Sequence, residues 1–482
     1  MGAADGARLR RARLRRVGGG SVADRVSPTR PGPYGGGVMD DGLRFPPGFV
    51  FGTATAAYQI EGAVAEDGRG PSIWDTFSHT PGAVRNGETG DVACDSYHRY
   101  PEDVRLMAGL GTHAYRFSVS WPRIQPAGRG TVNRAGIDYY SRLVDELLGA
   151  GVAPAATLYH WDLPQPLQDA GGWLARDTAD RFADYAAVVA DALGDRMRMW
   201  ITLNEPVVAT WNGHVEGSHA PGLRLGTGAF PVAHHLLLAH GRAVPVLRSA
   251  NPDVPVGITN NYGPCHPASD AEADVAAARL QDILRNRLYT DPVLLGRYPD
   301  EFAELAAGTV HDGDLAAISA PLDFLGVNYY FPELVRADPA GVFGTAPVEW
   351  PDAPRTAFDW PVVPDGMRQT LVDLRDRYGA GLPPVYVTEN GAAYDDVVGP
   401  DGTVDDGDRV SYLDAHLRAV RTAMDAGVTV RGYFCWSLLD NFEWAEGFSK
   451  RFGLVHVDFG SQRRTPKASY GWYRDLIAAQ SR

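Results

Sequence analysis

The sequence predicts one (β/α)8 barrel with long βα loops over residues 41–482, and three observations predict it. Short apolar, β-branched or aromatic runs alternate eight times with alanine- and leucine-rich stretches of helical period. No Gly/Ser/Pro-rich linker breaks the chain beyond Leu43. Almost every run also ends in polar side chains capable of chemistry, and barrels of this kind build their active sites at the C-terminal ends of the strands.

In chain order, strands are expected at 49–56, 114–120, 153–158, 199–203, 256–259, 324–328, 385–388 and 432–437. Helices are expected between them, among others at 137–150, 178–193, 230–249, 366–378 and 408–426. Such a barrel needs roughly 250 residues, so the surplus must lie in loops. The residues that close or follow the runs are Gln59, Arg116, His160 with Trp161, Asn204 with Glu205, Asn328 with Tyr330, Glu389 with Asn390, and Trp436 followed by Glu443 and Trp444. One strand ending this way means little. Seven doing so is hard to reconcile with a purely structural barrel.

Composition narrows the partners. A net charge of −14 argues against nucleic acid or an anionic membrane, because phosphate-binding surfaces need clustered Lys and Arg. No stretch approaches the roughly 20 apolar residues of a membrane helix. Three cysteines, Cys94, Cys265 and Cys435, are too few and too oddly spaced for a disulfide framework or a metal site, which points to the cytoplasm. Residues 1–40 differ from the rest. They carry eight arginines, much glycine, and no hydrophobic segment, so they read as a disordered tail or as sequence upstream of a true start at Met39. His234, His235 and His240 share a helical stretch but have no carboxylate or cysteine at matching spacing, so they read as packing residues.

The chemistry sits on two glutamates. Breaking a glycosidic bond needs one protonated carboxyl to assist the leaving oxygen and one ionised carboxyl to attack or to activate water. Thr202-Leu203-Asn204-Glu205-Pro206 and Thr388-Glu389-Asn390-Gly391 each put a glutamate just past an apolar strand, beside an asparagine. A lone glutamate there would more often cap the next helix or pair with an arginine. Two of them, among aromatics, favour catalysis.

An ordered set of motifs runs through 43–482: Phe51-Gly52-Thr53-Ala54-Thr55-Ala56-Ala57-Tyr58-Gln59-Ile60-Glu61-Gly62, Tyr115-Arg116-Phe117-Ser118, His160-Trp161-Asp162-Leu163-Pro164, Asn204-Glu205-Pro206, His219-Ala220-Pro221-Gly222, Asn328-Tyr329-Tyr330, Thr388-Glu389-Asn390-Gly391 and Trp436-Ser437-Leu438-Leu439-Asp440-Asn441-Phe442-Glu443-Trp444. In these the chain resembles glycoside hydrolase family 1, the β-glucosidase family. The resemblance implies a retaining exo-β-glycosidase that releases terminal β-D-glucosyl residues, and also accepts β-galactosides and β-fucosides. It assigns Glu205 as acid/base and Glu389 as nucleophile. Arg116 would stand beside Glu389, Tyr330 would hydrogen-bond it, and Asn328 would help position the site. Gln59, His160, Trp161, Asn204, Glu443 and Trp444 match substrate-contacting positions, Trp436 the stacking floor, Trp360 the leaving-group platform, and Phe452 a further substrate-side position. Retention implies carboxyl groups roughly 5–5.5 Å apart. The implied ligands are small β-glycosides such as cellobiose and aryl or alkyl glucosides, with no cofactor and no metal.

Two departures fall on the leaving-group side. Val207 stands where many relatives carry an aromatic, and Ala357-Phe358-Asp359 before Trp360 is unusual. Alternatives are a specialised or transglycosylating member, or a non-catalytic sugar-binding relative on the same barrel. The presence of both glutamates argues against the last.

Overall fold

A computed structural model describes residues 42–302, 306 and 308–480. The expected tail at 1–40 and the start at Met39 lie outside the described residues.

Eight parallel strands form the centre: β1 Val50–Ala54, β2 Ala114–Ser118, β3 Ala153–Tyr159, β4 Met199–Asn204, β5 Val256–Tyr262, β6 Phe324–Tyr329, β7 Val385–Asn390 and β8 Val430–Trp436. Each pairs with its neighbours in sequence, and β1 pairs with both β2 and β8, which closes the barrel. The predicted strands match these bounds to within three residues. They were legible because parallel strands are buried on both faces and read as nearly unbroken apolar runs. All six residues of β4, Met-Trp-Ile-Thr-Leu-Asn, are buried.

Eight helices alternate with the strands: α1 Ser96–Leu110, α2 Arg134–Gly149, α3 Thr178–Leu193, α4 Phe230–Ala250, α5 Leu288–Leu295, α6 Pro364–Tyr378, α7 Gly407–Asp425 and α8 Ala468–Gln480. The stripe that seats α3 is Thr178, Ala179, Phe182, Tyr185, Ala186, Val189, Ala190 and Leu193, spaced three or four apart and buried. Full burial of Phe182 contributes about 1.5–3 kcal/mol, and Phe182→Ala, leaving a cavity, would cost about 3–5 kcal/mol. On α4 the three histidines are buried: His234 meets Tyr298 and Asp314, His235 the Trp173 carbonyl, and His240 the Thr202 hydroxyl. They tie α4 to its neighbours.

The sequence reading missed two small sheets in the long loops. Cys265–Pro267, Glu333–Ala337 and Thr345–Val348 form one, and Val455–Asp458 with Arg463–Pro466 forms a hairpin after β8. Strands of three to five residues are too short for their periodicity to stand out.

Candidate active site

At the end of β4, Glu205 leaves the ladder with φ 47°, a left-handed conformation that side chains other than glycine adopt at a cost of about 1–3 kcal/mol. Its backbone N–H still donates to Thr259 on β5 (2.8 Å), and Pro206, at the first position of helix Pro206–Thr210, fixes the exit. The carboxyl accepts only neutral donors: Asn328 Nδ2 at 2.6 Å and Asn261 Nδ2 at 3.0 Å. Burial, followed by the charge of Glu389, pushes the Glu205 carboxyl up to about 7, while the two asparagines and Arg116 pull it partly back.

At the end of β7, Glu389 meets a guanidinium. Arg116 on β2 donates to Oε1 in a fully buried ion pair, and the Tyr330 hydroxyl donates to Oε2 at 2.7 Å. Arg116 is itself fixed by the Thr157 hydroxyl (3.2 Å), the Thr388 carbonyl (3.2 Å) and Asn204 Oδ1 (2.5 Å). Asn204 Oδ1 also accepts from Asn328 Nδ2 at 3.1 Å, so one amide oxygen links the arginine behind Glu389 to the asparagine behind Glu205. Two donors on that oxygen settle the amide's orientation, and Nδ2 therefore points at His160 Nε2, 3.2 Å away. His160 then carries its proton on Nδ1, which has no partner. Burial and the nearby Arg116 hold its pKa well below the usual range, so it is neutral.

Around these groups stand further polar and aromatic side chains. Gln59 Nε2 donates to Asn441 Oδ1 (3.0 Å), the Phe442 carbonyl (2.9 Å) and Glu443 Oε2 (3.3 Å), while its Oε1 is buried without a partner. Glu443 is raised to about 8 by burial and then by the charge of Glu389, with Gln59 opposing. Trp436 closes β8 with its ring stacked 5.8 Å from His160. A side chain at Gly391 would overlap the Trp436 carbonyl oxygen, so glycine lets the turn after Glu389 pack against the floor. Trp161 and Trp444 are also left-handed, with φ 76° and 52°, and their rings meet at 4.7 Å. The Trp161 indole N–H goes to the Asn204 carbonyl (2.9 Å) and is not free to donate to a ligand.

Trp360 lies farther out, stacked on Phe358 at 4.3 Å and edge-on to Tyr330 at 5.4 Å. Phe452 is buried behind them, 6.3 Å from Tyr330 and 6.0 Å from Trp360. Val207 is fully buried. Every residue picked from the sequence is thus at or behind this one rim. Sequence reasoning passed over Asn261, Asn441, Thr157 and Thr388. Asn261 could have been found: the expected fifth strand stopped at 259, while β5 continues through Asn260-Asn261-Tyr262.

A closed parallel barrel with two buried, differently partnered glutamates at the C-terminal ends of its strands is the architecture of a glycoside hydrolase. The chain belongs to glycosyl hydrolase family 1, whose sequence pattern matches residues 42–482. It is 49% identical over 438 residues to β-glucosidase A of Thermotoga maritima, covering 90% of this chain and 98% of that one. It is 50% identical over 463 residues to a bifunctional β-D-glucosidase/β-D-fucosidase of Bifidobacterium breve, covering 91% and 99%. Among solved structures, the Thermotoga maritima β-glucosidase in complex with deoxynojirimycin superposes with a TM-score of 0.88 at 48% identity, covering 91% of this chain and 99% of that one.

Proposed function

We propose that this chain is a retaining exo-β-glucosidase in which Glu389 is the nucleophile and Glu205 the acid/base. The observation that carries the assignment is the difference in partners. Glu389 faces a guanidinium and a phenol, which orient an attacking oxygen; Glu205 faces neutral amides only and keeps a proton near neutral pH.

In the first step, Glu389 bonds to the anomeric carbon as the glycosidic C–O bond breaks, and the Glu205 proton passes to the departing oxygen. Esterification removes the negative charge on Glu389 that helped raise Glu205. Glu205 then takes a proton from water as that water displaces Glu389 and returns the β-anomer. Proton transfer of this kind contributes about 10²–10⁴-fold in rate. Gln59, neutral His160, the Asn204 amide and Glu443 offer the donors and acceptors a sugar's hydroxyls need, over the Trp436 face.

Glu443 also selects the sugar. Its carboxyl suits the free 4- and 6-hydroxyls of glucose, whereas a 6-phosphate needs cationic partners and Glu443 pairs with the neutral Gln59 instead. Suitable substrates are cellobiose and aryl or alkyl β-glucosides. β-Fucosides are a further expectation, supported by the name of the Bifidobacterium breve relative. Three free cysteines support action in the cytoplasm. No helix among the described residues is long and apolar enough to cross a membrane. The test is hydrolysis of 4-nitrophenyl β-D-glucoside followed by proton NMR. β-Glucose should appear first, with little turnover of the 6-phosphate. α-Glucose as first product, or preference for the phosphorylated sugar, would overturn the proposal.

A further inference from the structure

Behind the site, six charged side chains form a buried network that the proposed chemistry does not use. Lys467 is one of only two lysines in the chain and is fully buried at the head of α8. Its Nζ bonds Asp396 Oδ2 at 2.5 Å and Asp440 Oδ1 at 2.6 Å. Arg409 on α7 pairs with the same Asp396 oxygen (2.7 Å) and with Asp406, while Arg451 holds Asp440 Oδ2 at 2.8 Å. Three carboxylates thus face three cations, and only Arg451 is appreciably exposed, at 22%.

The network grips both loops that carry the site. Arg409 Nε donates to the carbonyl of Ala392, three residues beyond Glu389, and its Nη2 donates to the carbonyl of Arg451 at 2.7 Å. Asp440 lies midway between Trp436 and Glu443. Its carboxylate also accepts from Gly453 N–H at 2.9 Å, where a side chain would overlap the Asp440 backbone. The next residue, Asn441, receives Gln59. Burying six charges is a poor route to stability, since apolar replacements of buried ion pairs are often neutral or better. What such a network provides is fixed geometry.

We infer that Lys467, with Asp440 and Asp396, is a positioning residue that sets the sugar-binding loop 436–444 against the strand end bearing Glu389. This rests on the roles proposed above for Glu389 and Glu443. Loss of the lysine lets Glu443 and Gln59 drift from the sugar while leaving the two reacting glutamates in place.

The test uses the full chain and two variants. Lys467→Met alone leaves an unbalanced buried charge and is prone to unfold, so the principal variant is Lys467→Met/Asp396→Asn, which removes one charge of each sign. It should melt near the wild type. Its KM for 4-nitrophenyl β-D-glucoside should rise about tenfold with kcat changed less than about threefold, and its preference for the glucoside over the 6-deoxy β-fucoside should fall about threefold or more. The peripheral variant Arg451→Gln should shift the same quantities in the same direction by about two- to threefold. A merely structural role moves the melting temperature and leaves the glucoside-to-fucoside ratio alone. Wild-type KM and ratio in either folded variant overturns the inference. If instead Glu389→Gly remains active without added anion, the underlying role assignment is what fails.

Discussion

The ends of β4 and β7 present the same residue at the same depth: Glu205 and Glu389 are each 3% exposed. What they touch differs. Glu205 has two amides, whereas Glu389 has a guanidinium fixed from three sides and a phenol. Neither residue type nor burial therefore distinguishes the two carboxyls; the partners do. Because Asn204 joins both sets of partners through one oxygen, the two ends are a single arrangement, and altering one side should be felt at the other.

The comparison breaks most visibly at β7. Glu389→Gly should lower hydrolysis of 4-nitrophenyl β-D-glucoside by several orders of magnitude, because it removes the proposed nucleophile. Retention of more than a small fraction of activity in a steady-state assay would show that Glu389 is not the nucleophile.

At β4 the loss should depend on the leaving group. Glu205→Ala should slow cellobiose and alkyl glucosides by about 10²–10⁴-fold. The pre-steady-state burst with 2,4-dinitrophenyl glucoside, whose leaving group needs little protonation, should be far less affected. Equal losses across leaving groups would make Glu205 a structural or positioning residue.

Glu443 marks the limit of the comparison, as a third carboxyl whose proposed role is to bind and not to react. Glu443→Ser should reduce kcat/KM for the glucoside by about tenfold or more, in keeping with the loss of two hydroxyl hydrogen bonds at about 0.5–1.5 kcal/mol each. An unchanged kcat/KM would place the 4- and 6-hydroxyls elsewhere.

The smallest effect is on stability. Glu205 in the folded protein stands at about 7, above its ordinary 4.5. A raised value means that the folded state holds the proton more tightly. The associated stability, about 3 kcal/mol, is present below pH 4.5 and is lost as the pH rises to about 7. Glu205→Gln escapes that loss. Its melting temperature relative to the wild type should therefore rise by a few degrees between pH 5 and pH 8. A constant difference across that range would contradict the shift.

Much of the rim was legible because chemistry-bearing residues appear where an apolar run stops. His160, Glu205 and Glu389 are all read that way. What joins them was legible only in part: Arg116 beside Glu389 came through the family resemblance, and Gln59 with Asn441 did not come at all. Arg116 and Glu389 are 273 positions apart, and Gln59 and Asn441 382 apart, with nothing in either local pattern to announce the pairing. Asn261 was missed because two asparagines precede the last residue of β5, and falling hydrophobicity there looks like a loop. Trp161 kept its place at the rim, but its N–H is committed to backbone. Val207 was noted as a missing aromatic, and the structure places it in the core.

The most direct test of the division between the two glutamates is chemical rescue of Glu389→Gly by azide. The vacated space lies on the face of the sugar opposite the leaving group, so azide should restore part of the lost rate with an activated glucoside and give α-glucosyl azide, identified by its anomeric proton coupling. Formation of the β-azide, or equal rescue with the same product from a Glu205 variant, would contradict the assignment of Glu389 as nucleophile.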